Sequence, residues 1–246
     1  MKKAAIIILA IVSLTACKNP KTKTAIASKE KTVNLSQQDN QWEILFDGTS
    51  FNNWRGYNSD SMYKAWKIED GAMVYTPGEY GGKNIITKKE YTNFVLSIDW
   101  KISEGGNSGI FWGVFEDSKY KEAYQTGPEI QVLDNERHPD AKIGGKLHQA
   151  GALYDMVAPQ HDVANAAGQW NTFVIKIDHK NNHGSVTLNG IEIVKFSVDG
   201  VKWDNMVAKS KFATWEGFGK YQTGHIGLQD HGNKVWYRNI KIKEID

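Results

Sequence analysis

Cysteine is nearly absent: Cys17 is the only one in 246 residues, so no disulfide can form within the chain. Long apolar runs are missing too. The stretch from Ala4 to Leu14 falls well short of the roughly 20 residues a membrane-spanning helix requires. A basic domain is likewise lacking. The chain carries 30 Lys and Arg against 28 Asp and Glu, but 7 of the basic residues and 2 of the acidic ones precede Trp42. From Trp42 onward 23 basic residues face 26 acidic ones, which argues against a nucleic-acid partner, because backbone binding needs a basic patch on the domain itself. Helical periodicity is scarce, and no repeat of fixed length recurs.

The N-terminus is informative. Met1-Lys2-Lys3, the short apolar run and Leu14-Thr15-Ala16-Cys17 together read as a lipoprotein signal over residues 1–17, with Cys17 as the lipid-attachment residue. Several acyl chains on one residue give stable anchoring without a spanning helix. Residues 18–41, polar and carrying five lysines that form no helical face, read as a flexible tether. The expected location is outside the cytoplasm, lipid-anchored to a bacterial membrane. With no acidic run after Cys17, the outer membrane facing the periplasm is favoured. The remaining 42–246 are ample for a single domain.

Short runs rich in Val, Ile, Phe, Trp and Tyr alternate with polar residues from Trp42 onward, a strand pattern. Asp70-Gly71 and Asn189-Gly190 suit tight hairpin turns between 65–69 and 72–76 and between 184–188 and 191–196. Further strands are expected at 94–102, 109–115, 129–133, 170–178, 225–229 and 235–245, about ten in all. The pattern predicts an all-β, two-sheet antiparallel jelly-roll sandwich. The stretch 203–221, without clean alternation, is expected to be a loop over an edge or mouth.

Several strings, in order, carry a resemblance: Leu45-Phe46-Asp47-Gly48-Thr49, Gly106-Asn107-Ser108-Gly109-Ile110, Glu129-Ile130-Gln131-Val132-Leu133-Asp134-Asn135, Gly151-Ala152-Leu153-Tyr154-Asp155, Ser210-Lys211-Phe212 and Gly224-His225-Ile226-Gly227-Leu228-Gln229-Asp230-His231-Gly232. Together they resemble the 3-keto-disaccharide hydrolase family over nearly all of 42–246. The resemblance implies a concanavalin A-like jelly roll and cleavage of glycosides whose sugar carries a ketone at C3. Two positions depart from the family pattern: Gln169 stands where Glu is usual, and Asn165 where Lys is frequent.

Glu129 and Gln131 sit at i and i+2 of a strand and therefore share a face; Asp134 joins them only after a bulge or at the strand's end. Jelly-roll glucanases use a similar stretch, Glu-x-Asp-x-x-Glu, but here an amide replaces the helper acid and Asp replaces the last Glu. A 3-ketone acidifies the hydrogen on C2, so eliminative cleavage needs one general base, a donor or metal ion to hold the developing enolate oxygen and an acid for the leaving group, after which water adds back. Glu129, His231 and Asp134 are the candidate catalytic residues. Gln131, Asn107, Trp112, Tyr154, Gln229, Asp230 and His138 are the candidate substrate-binding set, with Trp215 and Arg55 also in loop-like surroundings. Trp100, Trp170 and Trp236 are expected in the core.

A divalent metal ion is an open expectation: His138, Asp140, Asp134 and His148 form a loose cluster, although no spacing matches a ligand signature. A noncatalytic carbohydrate-binding module is the alternative to an enzyme, since one fold serves both. Glu129 decides between them, because a module has no need of a buried acid.

Overall fold

A computed structural model describes residues 42–78 and 83–246. The signal segment and the tether lie outside the described residues, as does Cys17.

Two hairpins start the construction. Strand β3 (Trp66–Glu69) turns into β4 (Ala72–Tyr75) through Asp70 and Gly71, with φ of +50° and +73°. Strand β10 (His183–Leu188) turns into β11 (Ile191–Phe196) through Asn189 and Gly190, at +50° and +84°. Two consecutive positive φ angles match the right-handed twist of the flanking strands, which explains the Asp-Gly and Asn-Gly pairs.

The remaining strands are β1 (Glu43–Phe46), β2 (Trp54–Gly56), β5 (Ile85–Tyr91), β6 (Phe94–Ile102), β7 (Asn107–Val114), β8 (Glu129–Leu133), β9 (Asn171–Asp178), β12 (Gly224–Leu228) and β13 (Val235–Glu244). They form two antiparallel sheets. The larger runs β11-β10-β9-β6-β13-β4-β3, and β1 also pairs with β13; the smaller runs β2-β5-β12-β7-β8. Strand β13 lies at the centre of the larger sheet. One side pairs with β6 along its length; on the other, Val235 to Tyr237 pair with β4 and Ile240 to Ile242 with β1. A bulge at Asn239, φ +51°, separates the two registers.

The facing sides of the sheets enclose the core. Strand β6 alternates strictly, burying Phe94, Leu96, Ile98, Trp100 and Ile102. From the smaller sheet Ile110, Trp112, Ile130, Val132, Ile226 and Leu228 point in to meet them.

Four expectations are corrected. Strands β1, β2 and β5 are additional; β1 and β2 have only four and three residues, too short for a period to stand out. Residues 203–221 do not form a plain loop: helix α2 (Gly200–Ala208), which follows the single-turn helix α1 (Asp140–Ile143) in the chain, occupies the first part, capped by the Asp199 carboxylate accepting from Gly200 N and anchored by buried Trp203. Trp112, two residues from Ile110, shares its inward face and packs on Phe196 at 5.7 Å and Trp203 at 6.5 Å, so it lines the core rather than a site. Trp170 and Trp236 do the reverse. They stand half-buried on the outer face of the larger sheet, where Lys101 lies 5.0 and 4.5 Å from their rings and Arg238 3.9 Å from Trp170. Val235 and Tyr237 occupy the inward positions on either side of Trp236.

Gly190 has open space around a would-be Cβ, so Gly190→Ala isolates the backbone effect. The expected loss is about 1–2 kcal/mol in urea denaturation, the strain of a left-handed conformation for an L-residue.

Candidate active site

Strands β7 and β8 pair without a register shift, placing Gly109 opposite Gln131 and Phe111 opposite Glu129. With Ile130 and Val132 turned to the core, Glu129 and Gln131 face outward on the smaller sheet. That outer face is covered. The free edge of β8 is extended by the chain at 151–157: Gly151 N donates to Gln131 O, Gln131 N to Ala152 O, and Tyr154 N to Glu129 O, at 2.8, 3.1 and 3.0 Å. The loop after α2 brings Lys211, Phe212 and Trp215 across the opening.

The result is a cleft of about 260 Å³ in which Asn107, Glu129, Gln131, Tyr154, Gln229 and His231 meet these loop residues and Tyr124. Phe212 stacks on Phe218 at 3.9 Å and meets Trp215 edge-on at 5.1 Å; Tyr124 lies 5.8 Å from Trp215, which completes an aromatic wall. A larger hollow of about 500 Å³ on the outer face of the other sheet includes Asp99, but Thr172, Arg238 and Asn239 already hold that carboxylate.

Glu129 is the electrostatic centre of the cleft, only 7% exposed. Its side chain lies across Gly109, where a Cβ would come within 2.1 Å of Glu129 Oε1; only glycine leaves that space. Burial pushes the carboxyl up to about 8, opposed by the Lys211 charge, reinforced by Asp140 and eased by a Gln229 hydrogen bond. Behind it, the His148 ring bridges two carboxylates, Nδ1 to Asp140 Oδ1 and Nε2 to Asp155 Oδ1, both at 2.8 Å. Tyr154 stacks on that ring at 4.3 Å and donates its hydroxyl to Asp140 Oδ2 at 2.9 Å. Burial opposes the ionisation of Asp140, but the His148 and Tyr154 hydrogen bonds outweigh it and hold that carboxyl below its ordinary value. The same burial, with Asp140 as acceptor, holds the Tyr154 phenol protonated.

The other expected site residues divide. His231 lines the cleft from an exposed position, and His138 stands behind it with ring centroids 6.3 Å apart. Asp230 holds its own turn, accepting from Gly232 N at 2.8 Å. Asp134 stands apart from Glu129. Strand β8 ends at Leu133 with no bulge to realign it, and the Asp134 carboxylate caps a loop by accepting from Gly105 N, Glu136 N and Arg137 N. Arg55 pairs with Glu116, outside the cleft. The loose metal cluster disperses: His148 engages both ring nitrogens, His138 Nδ1 accepts from Asp140 N at 3.1 Å, and Asp134 is a cap. Among the described residues no group of three or more His, Cys, Asp or Glu side chains is placed to hold a metal ion. Lys211, Phe212 and Tyr124 were missed as site residues, although Ser210-Lys211-Phe212 had signalled itself as one of the resemblance strings.

A family model described as the 3-keto-alpha-glucoside-1,2-lyase-like domain matches residues 41–243. The chain belongs to that family. It is 35% identical to a 3-keto-disaccharide hydrolase from Bacteroides thetaiotaomicron, over 92% of its own length and 86% of the relative's. It is also similar to two candidate glycosyl hydrolases from Parabacteroides distasonis whose crystal structures are solved. One is 32% identical, with a TM-score of 0.77 over 84% of this chain and 95% of the other. The second is 26% identical, with a TM-score of 0.64 over 83% and 100%.

Because the folded-state carboxyl of Glu129 is raised from 4.5 to about 8, the stability it allows is present in full below 4.5 and is lost as pH rises through 8. Glu129→Gln cannot ionise. Urea denaturation at pH 5, 7 and 9 is expected to show the variant gaining on the wild type with each step. Gly109→Ala is expected to push Glu129 out over the cleft and bring its titration, followed by carboxyl NMR, back towards 4.5.

Proposed function

We propose that this protein cleaves the glycosidic bond of 3-keto glycosides by elimination, with Glu129 as the base that removes the hydrogen on C2. The coarser activity, action on glycosidic bonds, follows from family membership and the 35% identical hydrolase. The observation that carries the finer reading is a single, buried, high-pKa carboxyl. Among the described lining residues Glu129 is the only carboxyl in the cleft, whereas a retaining or inverting glycosidase works with a pair. A carbon acid beside a ketone needs one base, and a base held near 8 is stronger than an ordinary carboxylate. A carbohydrate-binding module gains nothing from burying an acid at such an electrostatic penalty.

In this reading His231, which lines the cleft from an exposed position, protonates the departing C1 oxygen. Water then adds to the unsaturated sugar, so that the net reaction is hydrolysis. The aromatic wall of Phe212, Trp215 and Tyr124 suits the apolar face of a sugar ring. We also propose that the enzyme works at the bacterial envelope, lipid-anchored through Cys17 and facing the periplasm; the residues of the signal box support this placement.

A direct assay compares aglycone release from methyl 3-keto-alpha-glucoside and from its unoxidised parent. Release from the keto compound alone is expected. Glu129→Gln should reduce it by roughly 10²–10⁴-fold, the usual worth of a general base. Since the base must be ionised, kcat/KM is expected to rise with pH through about 8. Comparable release from the parent, or an undiminished variant, sinks the proposal. For the anchor, Cys17→Ser is expected to abolish labelling by a fatty-acid probe and move the protein from the membrane to the soluble fraction; unchanged labelling rejects it.

A further inference from the structure

Removing the C2 proton places negative charge on the C3 oxygen, and some group in the cleft must meet it. The amide side chains are turned the wrong way. Gln131 commits its Nε2 to the His148 carbonyl at 3.3 Å, and Gln229 hydrogen-bonds the Glu129 carboxyl, which only its Nε2 can do for the anion. Both therefore present Oε1, which is buried and without a partner, as is Oδ1 of Asn107. These three oxygens accept hydrogen bonds and repel a ketone oxygen, which has only lone pairs, so that the amides leave Asn107 Nδ2 alone as a donor, and a neutral one. The Tyr154 hydroxyl is already engaged by Asp140.

Lys211 remains. Its Nζ stands 4.1 Å from the centroid of the Tyr154 ring and 5.3 Å from that of Phe212, and its charge reaches Glu129. Among the described residues it forms no ion pair or side-chain hydrogen bond that would compete for it. Trp215 and Tyr124 offer only neutral donors, which stabilise an anion less than an ammonium does.

Building on the eliminative reading, we propose that Lys211 holds the C3 oxygen of the keto sugar and stabilises the enolate, while the amide oxygens of Asn107, Gln131 and Gln229 accept hydrogen bonds from the sugar's hydroxyls. The electrons balance in two steps. The Glu129 carboxylate takes the C2 proton, the C–H pair forms C2=C3, and the carbonyl pair moves to the oxygen beside the ammonium. The enolate then re-forms C3=O, the C2=C3 pair becomes C1=C2, and the C1–O bond breaks as its oxygen is protonated. The unoxidised hydroxyls are what the three amide oxygens read, so the site selects a sugar oxidised at C3 and left free elsewhere.

The test uses 1,5-anhydro-3-ketoglucitol, which has no exocyclic group to expel at C1 and whose ring oxygen stays tethered, so that enolisation is read as deuterium uptake at C2 from heavy water. The wild type is expected to exchange this position. Lys211→Met should slow exchange by roughly 10²–10³-fold, the loss seen when one oxyanion donor is removed, and Lys211→Arg should restore part of it. Binding of the unoxidised 1,5-anhydroglucitol, measured by calorimetry, should fall far less than exchange does. Exchange at the wild-type rate in Lys211→Met, or an equal loss of binding, overturns the role of Lys211 while leaving the eliminative reading intact. Cleavage of keto glycosides by a wild type that never exchanges C2 overturns the reading itself, and this inference with it.

Discussion

A carboxyl group held out of water above a glycine is the constraint around which this protein is arranged. Isolated, such a group would be expensive to ionise, and the protein compensates only in part: one ammonium across the opening, one amide from β12's end, and a second carboxylate whose charge works in the opposite direction. The position also demands support. Gly109 leaves the space, the 151–157 segment closes the edge of β8, and His148, clamped between Asp140 and Asp155, fixes the wall on which Tyr154 stacks. Even Gly144 serves that wall, because a Cβ there would lie 2.0 Å from His148 Nδ1.

The smaller sheet is therefore a two-sided structure. Its inner residues, Ile110, Trp112, Ile130 and Val132, are shared with the larger sheet and give the strands their rigidity. The outer ones, Asn107, Glu129, Gln131 and Gln229, are polar yet almost as buried, because loops rather than a second sheet cover them. A polar cleft borne on strands and roofed by loops rests its buried carboxyl on a rigid support. That the only carboxyl lining the cleft among the described residues is borne on a strand separates this site from the paired acids of ordinary glycoside hydrolysis.

Much of this was legible from a period of two. The parity of Glu129 and Gln131, the hairpins at Asp70-Gly71 and Asn189-Gly190, and the boundaries of β6 and β8 are local properties, and reading alternation was enough to find them. The same parity, applied to Ile110 and Trp112, sends Trp112 to the core, whereas the glycines flanking its strand favour a place lining the site. Asp134 turned on whether β8 bulges, which no spacing reveals. Lys211 was beyond reach for another reason. It meets Glu129 only because α2 and the following loop fold across the sheet, joining positions more than eighty residues apart, and single-sequence periodicity carries nothing about such pairings.

The central place of β13 has a consequence in time rather than space. Residues 235–244 hold β6 on one side and both β4 and β1 on the other, so β1 stays unmated, and β4 and β6 each keep one open edge, until that stretch is available. Sheets closed by such distant partners form slowly, and the chain cannot settle into its final packing piece by piece as it emerges. Until β13 arrives, one edge each of β6 and β4 is bare, the kind of edge at which strands of neighbouring chains pair.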